Sequence, residues 1–217
     1  MRGLLIKDLM LLKNQKRFLF VLLIACGIML FTNNDPSFVI NYSVLIFSML
    51  ALSTVSYDEL ENGFSFLFTL PISRAGYVAE KYVFCLLVGG AAWLLASLIA
   101  VVGVVSGQGW ELSQALSMAF VSLAVTQVLF SVTLPLQLKF GAEKGRVVLM
   151  AAIGFLVAGA FVLVKRLGNL DYNIGKAAAK LEVMGPVKFV GLVLLICLAA
   201  FAVSYYISIR IMEKKEF

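Results

Sequence analysis

Six apolar runs organise this chain: Phe18–Thr32, Phe38–Tyr57, Tyr82–Ser106, Ser113–Leu136, Val147–Val164 and Phe189–Ile209. A helix needs about 20 apolar residues to cross roughly 30 Å of hydrocarbon. The first run is short by that measure, but Lys13, Lys16 and Arg17 precede it, and their long stems can snorkel to the interface and extend the helix. A soluble fold has nowhere to bury so much apolar surface: 62% of the residues are hydrophobic and 14% charged, against about 45–50% and 25% in soluble domains. The expected fold is an all-α membrane protein, one domain over residues 1–217, with six transmembrane helices.

Between the runs, Asn33, Asn34, Asp35 and Pro36 predict a tight polar turn, as do Gly107, Gln108 and Gly109. A signal peptide is the competing reading of the first run, because Leu23-Ile24-Ala25-Cys26 matches a lipoprotein cleavage box. Only the five residues Phe18 to Leu22 separate Arg17 from that box, too few for an apolar signal core.

Orientation follows from the basic residues. With the N-terminus inside, thirteen Lys and Arg fall on the inner side and five on the outer, which favours both termini in the cytoplasm. All five outer ones, Lys165, Arg166, Lys176, Lys180 and Lys188, lie between the last two runs. There Lys176-Ala-Ala-Ala-Lys180 sits between glycines and predicts a short outer helix before helix 6. The alternative is a miscounted span that puts this loop inside. The formal charge of +6 and pI of about 9.3 fit anionic lipid head groups better than nucleic acid, since the basic residues flank apolar runs.

Catalytic groups are scarce. Histidine is absent, which removes Ser-His-Asp and Cys-His arrangements and the commonest metal ligand. Cys26, Cys85 and Cys197 sit within apolar runs, where cysteine packs as a small hydrophobe, so neither a disulfide nor a metal site is expected. Gly175-Lys176 is followed by Ala177 and lacks the upstream glycine of a phosphate loop, so ATP is not bound here through that motif. The runs carry almost no charge, unlike those of proton-coupled carriers. Small residues at four-residue spacing (Ala92, Ala96, Ala100; Gly103, Gly107; Gly154, Ala158) allow close helix packing, within the chain or with a partner. Pro135, behind Thr126, Gln127, Ser131 and Thr133, predicts either a bend lining a pathway or a kink near a helix end.

The segment after the second run, Asp58 to Arg74, is the most distinctive. Asp58, Glu59 and Glu61 lead, Asn62-Gly63 turns, and Phe64, Phe66, Phe68 and Leu70 follow. Pro71 ends the stretch and Ser73 is placed to cap the next helix. Four such apolar side chains are too many for a bare connector and predict contact with lipid head groups or another protein.

Tyr57-Asp58-Glu59, Asn62-Gly63, Thr69-Leu-Pro-Ile-Ser-Arg74 and Lys81-Tyr82, with the opening Gly3-Leu-Leu-Ile-Lys-Asp-Leu9 and Leu11-Leu12-Lys13, resemble the small permease subunits of type-2 ABC exporters of Gram-positive bacteria. The resemblance implies a bacterial cell-membrane permease that pairs as a homodimer or heterodimer and binds a separate cytoplasmic ATPase. ATP and Mg would belong to that partner, with no cofactor in this chain. Asp58–Arg74 would supply the cytoplasmic coupling helix between helices 2 and 3, with Asp58, Glu59, Glu61, Asn62, Gly63, Phe64, Pro71, Ser73 and Arg74 as its coupling residues. Residues 1–17 would form the N-terminal connecting helix, although Arg2, Lys7, Asp8 and Lys13 scatter around its circumference and do not make a clean interfacial amphipath. The cargo would be amphipathic or hydrophobic, such as a peptide or antimicrobial. A non-transporting immunity or scaffold subunit could use the same loop. A lipid-modifying enzyme would have only Asp58, Glu59 and Glu61 to work with.

Overall fold

A computed structural model describes residues 2–17, 36–59, 63–105, 112–167 and 186–215, with isolated positions between 20 and 28. These residues form seven helices and, among them, no strand: α1 (Arg2–Asn14), α2 (Pro36–Glu59), α3 (Gly63–Leu67), α4 (Arg74–Val105), α5 (Leu112–Phe140), α6 (Ala142–Leu167) and α7 (Pro186–Lys214). Among the described residues, four stretches are long and apolar enough to cross a membrane: Ile40–Glu59, Arg74–Ile99, Ala115–Phe140 and Val190–Lys214. They contain most of the second, third, fourth and sixth apolar runs. The fifth run lies inside α6, a continuous helix of 26 residues. Most of the first run and the expected outer helix at 176–183 fall outside the described residues, as do the turns at 33–35 and 107–109.

The helices outrun the apolar windows that announce them. Apolarity marks where lipid begins, whereas helix ends are set by caps and backbone pairing. Thus α4 starts at Arg74, eight residues before Tyr82, because Ser73 Oγ accepts the Gly76 N–H at 3.1 Å. Helices α2 and α7 both begin with proline, whose missing N–H is harmless in a first turn. Gly141 separates α5 from α6 with φ of +83°, a conformation that costs glycine nothing. Its N–H closes α5 on Gln137 O at 2.9 Å, and its carbonyl accepts the Gly145 N–H at 2.8 Å.

Helix α5 is central, packing on α2, α4, α6 and α7, most extensively on α7. Pro135 lies inside it and cannot donate to the carbonyl of Ser131. The Ser204 hydroxyl of α7 donates to that carbonyl instead. Tyr82 of α4 joins the same knot, its hydroxyl 2.6 Å from Ser204 Oγ and 2.8 Å from Ser208 Oγ. The proline therefore helps to tie three helices together.

The main apolar core gathers at one end of the bundle, where α1, α3, the end of α2, the start of α4 and the ends of α5 and α7 meet. It includes Leu4, Val55, Phe64, Tyr77, Leu138 and Met212. A smaller cluster of Ile40, Val44, Ala96 and Ala115 lies toward the other end. Elsewhere large apolar side chains face outward, among them Leu87, Leu98, Val102 and Leu195, as a bilayer solvent allows.

Candidate functional site

Residues 63–73, ahead of α4, are folded tightly onto the bundle. A Cβ on Gly63 would come within 2.6 Å of Asp58 O, so only glycine lets the chain return this close to the end of α2. Phe64 and Leu67 of α3 are buried. The Phe64 ring meets Tyr77 edge-on at 5.7 Å, and Phe68 meets Tyr77 at 6.0 Å. Thr69 Oγ1 donates to Phe66 O at 2.7 Å. Around Pro71 the chain reverses within three residues, with the Ile72 N–H on Leu70 O at 2.7 Å. Ser73 then caps α4.

This folding divides the aromatic stretch. Phe64 and Phe68 pack on the protein itself, which corrects the expectation that all four apolar side chains need an outside partner. Phe66 is 72% exposed and Leu70 46%, with Ser65, Thr69 and Pro71 also exposed around them. The outward surface is thus a small apolar tip with a polar edge.

Beneath the tip lies a buried ionic cluster. Lys81, fully buried on α4, donates to Asp8 Oδ2 of α1 and stands 2.7 Å from Asp58 Oδ2 at the end of α2. Its ammonium also reaches Thr54 Oγ1 at 3.3 Å and lies 5.3 Å from the Tyr77 ring centre. Lys7 donates to Asp58 Oδ1 and stands 3.2 Å from Asp8 Oδ1. The Tyr77 hydroxyl donates to Asp58 Oδ2 at 2.9 Å. Glu80 is buried as well; its Oε2 is 3.9 Å from Lys81 Nζ, and neither oxygen accepts a hydrogen bond among the described residues. Charges removed from water are tolerated only when closely paired and hydrogen-bonded. Lys7, Asp8, Asp58 and Lys81 meet that condition by recruiting α1, α2 and α4 together, whereas Glu80 at their margin does not.

Two further braces hold the segment. The Arg74 guanidinium donates to Met212 O at 3.1 Å and Glu213 O at 2.6 Å, where the end of α7 leaves carbonyls without helical donors. Lys215 donates to Leu138 O at 3.0 Å while lying 5.0 Å from the Phe64 ring centre. At Gly141 a side chain would collide with the Glu59 carboxylate, so the α5–α6 junction sits directly against the end of α2.

Of the residues expected to carry coupling, Asp58, Glu59, Gly63, Phe64, Pro71, Ser73 and Arg74 come together at this end of the bundle; Glu61 and Asn62 fall outside the described residues. Asp58 and Phe64 face inward, and Pro71 and Ser73 outward. Sequence reasoning missed Lys7, Asp8, Tyr77 and Lys81 as members of the site. Lys7, Asp8 and Lys81 stand in the segments that carry the family resemblance, and that was the available signal, but nothing in the sequence paired them with Asp58. Among the described residues no group of three His, Cys, Asp or Glu is arranged to hold a metal.

No curated protein and no solved structure matches the chain. A family model described as ABC-2 family transporter protein matches residues 3–213. Nearly the whole chain is thereby accounted for, from the helix that supplies Lys7 and Asp8 to the end of α7 that Arg74 caps, and the protein belongs to the ABC-2 transporter family as a permease subunit of a type-2 ABC transporter.

Proposed function

We propose that this permease is one half of an ATP-driven exporter. It crosses the membrane six times with both termini in the cytoplasm, pairs with a second permease, and couples through residues 58–74 to a separate ATPase that carries ATP and Mg. The cargo is amphipathic or hydrophobic, of the size of a peptide. The observation that carries this reading is the exposed Phe66–Leu70 tip standing on the ionic cluster. A tip meant to transmit force must be apolar enough to seat in a partner and too well rooted to yield when pushed. Buried aromatic anchors supply much of the energy of such interfaces, and Tyr77, on which Phe64 and Phe68 pack, links this one to Asp58 and so to Lys81.

The test is co-purification with the cognate ATPase, comparing the native chain with Phe66→Asp and Leu70→Asp. Loss of association with unchanged thermal stability supports the coupling role. Association and cargo-stimulated hydrolysis that both survive would exclude it. Association without any cargo-dependent hydrolysis in the native pair would favour an immunity or scaffold role.

A further inference from the structure

The end of α7 carries Ile207, Arg210, Ile211 and Lys214 at spacings of three and four, so these side chains share one face of the helix. Lys139 joins them from the end of α5, and with Lys215 they form an open groove of about 420 Å³. That lies within the range of about 300–1,000 Å³ that suits a small ligand. The apolar lining is isoleucine and the polar lining is wholly cationic. Glu213, next to Lys214, does not line it.

The usual duties of basic residues at helix ends do not account for three of these cations. The carbonyls at the end of α7 already receive Arg74. Lys215 is engaged with Leu138 O while its ammonium lies over the Phe64 ring. Arg210 donates to the Tyr206 hydroxyl at 2.5 Å and stands 4.6 Å from that ring's centre. Lys139 lies 5.0 Å from the Phe140 ring centre. Among the described residues no carboxylate pairs with Lys139, Arg210 or Lys214. Like charges four residues apart, as Arg210 and Lys214 are, repel. A topological signal asks for basic residues on one side of the membrane, not for their convergence on one groove. Convergence without a protein anion calls for an anion from outside.

The surroundings indicate what carries that anion. The stretch able to cross the membrane ends at Lys214, so Arg210 and Lys214 stand where hydrocarbon gives way to head groups. Deeper on the same face of α7, Ile207 and Val203 are exposed one turn apart. A soluble phosphate would use the cations and leave that apolar surface unmatched. An acidic protein surface would have to lie against hydrocarbon to cover it. A second copy meeting this face symmetrically would bring the same cations against these. An anionic phospholipid supplies both parts, and basic pockets between spanning helices suit such head groups.

We infer that the groove between the ends of α5 and α7 is a binding site for an anionic phospholipid. Its phosphate lies among Lys139, Arg210 and Lys214, and an acyl chain runs along Ile207 and Val203. The planar fork of arginine matches a phosphate in two-point contact, and Tyr206 steadies Arg210 for it. The site depends on neither the ATPase nor the cargo.

The test uses the delipidated full-length permease in neutral detergent, with bound lipid counted by native mass spectrometry. Dioleoylphosphatidylglycerol should bind saturably, and dioleoylphosphatidylcholine, with the same chains and no net charge, about tenfold more weakly. Arg210→Gln and Lys214→Gln should each weaken phosphatidylglycerol binding about fivefold. Lys144→Gln, at a basic residue of α6 outside the groove, should leave it unchanged. All three side chains are exposed, and these variants should melt with the native chain. Glycerol phosphate at the same concentrations should not compete. Equal binding of the two lipids, or an equal loss in Lys144→Gln, would overturn the inference. So would competition by glycerol phosphate, since a free anion would then be the ligand. Arg210→Gln and Lys214→Gln variants that keep their lipid but lose the cognate ATPase or self-association would overturn it too, because a protein would then fill the groove.

Discussion

The Lys81 ammonium stands 2.7 Å from Asp58 Oδ2, joining the early turns of α4 to the last turn of α2. The same ammonium holds Asp8, so α1 is bound to both. A pull on the segment after Asp58 therefore reaches a spanning helix and the N-terminal helix at once.

Removing Lys81 should be costly. Lys81→Met leaves Asp8 and Asp58 buried with only Lys7 to share, and Lys7 is one-third exposed. Breaking a buried pair on one side destabilises by about 3–5 kcal/mol. Thermal melting in detergent should show a large loss for Lys81→Met and a smaller one for Lys7→Gln. Adding Asp8→Asn to Lys81→Met should recover part of it. Equal, additive losses would mean that the cluster does not act as a unit.

The Pro135–Ser204 arrangement predicts a non-additive pair. Ser204→Ala strips the Ser131 carbonyl of its donor and should cost about 1–2 kcal/mol, while Tyr82 keeps Ser208. Pro135→Ala supplies a backbone N–H to the same carbonyl. In that background the loss from Ser204→Ala should fall to less than half. A double-mutant cycle of melting free energies reads the coupling directly, and a cycle that closes additively would contradict the account.

Gly141 carries two separable constraints. Gly141→Ala must adopt a positive φ, at a cost of roughly 1 kcal/mol, and must also displace the Glu59 carboxylate. Glu59→Ala should relieve the second burden and leave the first. The double variant should therefore be more stable than Gly141→Ala alone, yet still below the native chain.

Much of this architecture was legible because lipid imposes a simple rule on sequence. The second, third, fourth and sixth runs become long helices since apolar length is all that the bilayer asks. Ser73 was readable as a cap because its hydroxyl sits three residues before the amide it receives. The cluster was not readable. Asp8 and Lys81 are 73 positions apart, and no periodicity announces such a pair. Their partnership also explains the untidy wheel of α1. Leu4 and Asp8 share the face turned to the bundle, while Ile6, Leu9 and Met10 point outward. An inward carboxylate looks misplaced on a surface helix until its buried lysine is known.

Phe64 and Phe66 make the sharpest contrast, being two residues apart with opposite environments: 6% and 72% exposed. Phe64 fills the core beside Tyr77, with the Lys215 ammonium over its ring, so Phe64→Ala should cost about 3–5 kcal/mol of stability. Association with the ATPase would then fall only as the fold weakens, and low temperature should restore it. Phe66→Ala removes an exposed ring, and its unfolding free energy should stay within about 0.5 kcal/mol of native. If Phe66 anchors the partner, its loss should weaken association by at least 2 kcal/mol, or about thirtyfold, at every temperature where the permease is folded. Binding measured by biolayer interferometry against melting curves of both variants separates the two effects. Should Phe66→Ala bind normally while Phe64→Ala fails even when fully folded, the docking tip would have to be moved from the outer face of α3 to a surface that Phe64 shapes from beneath.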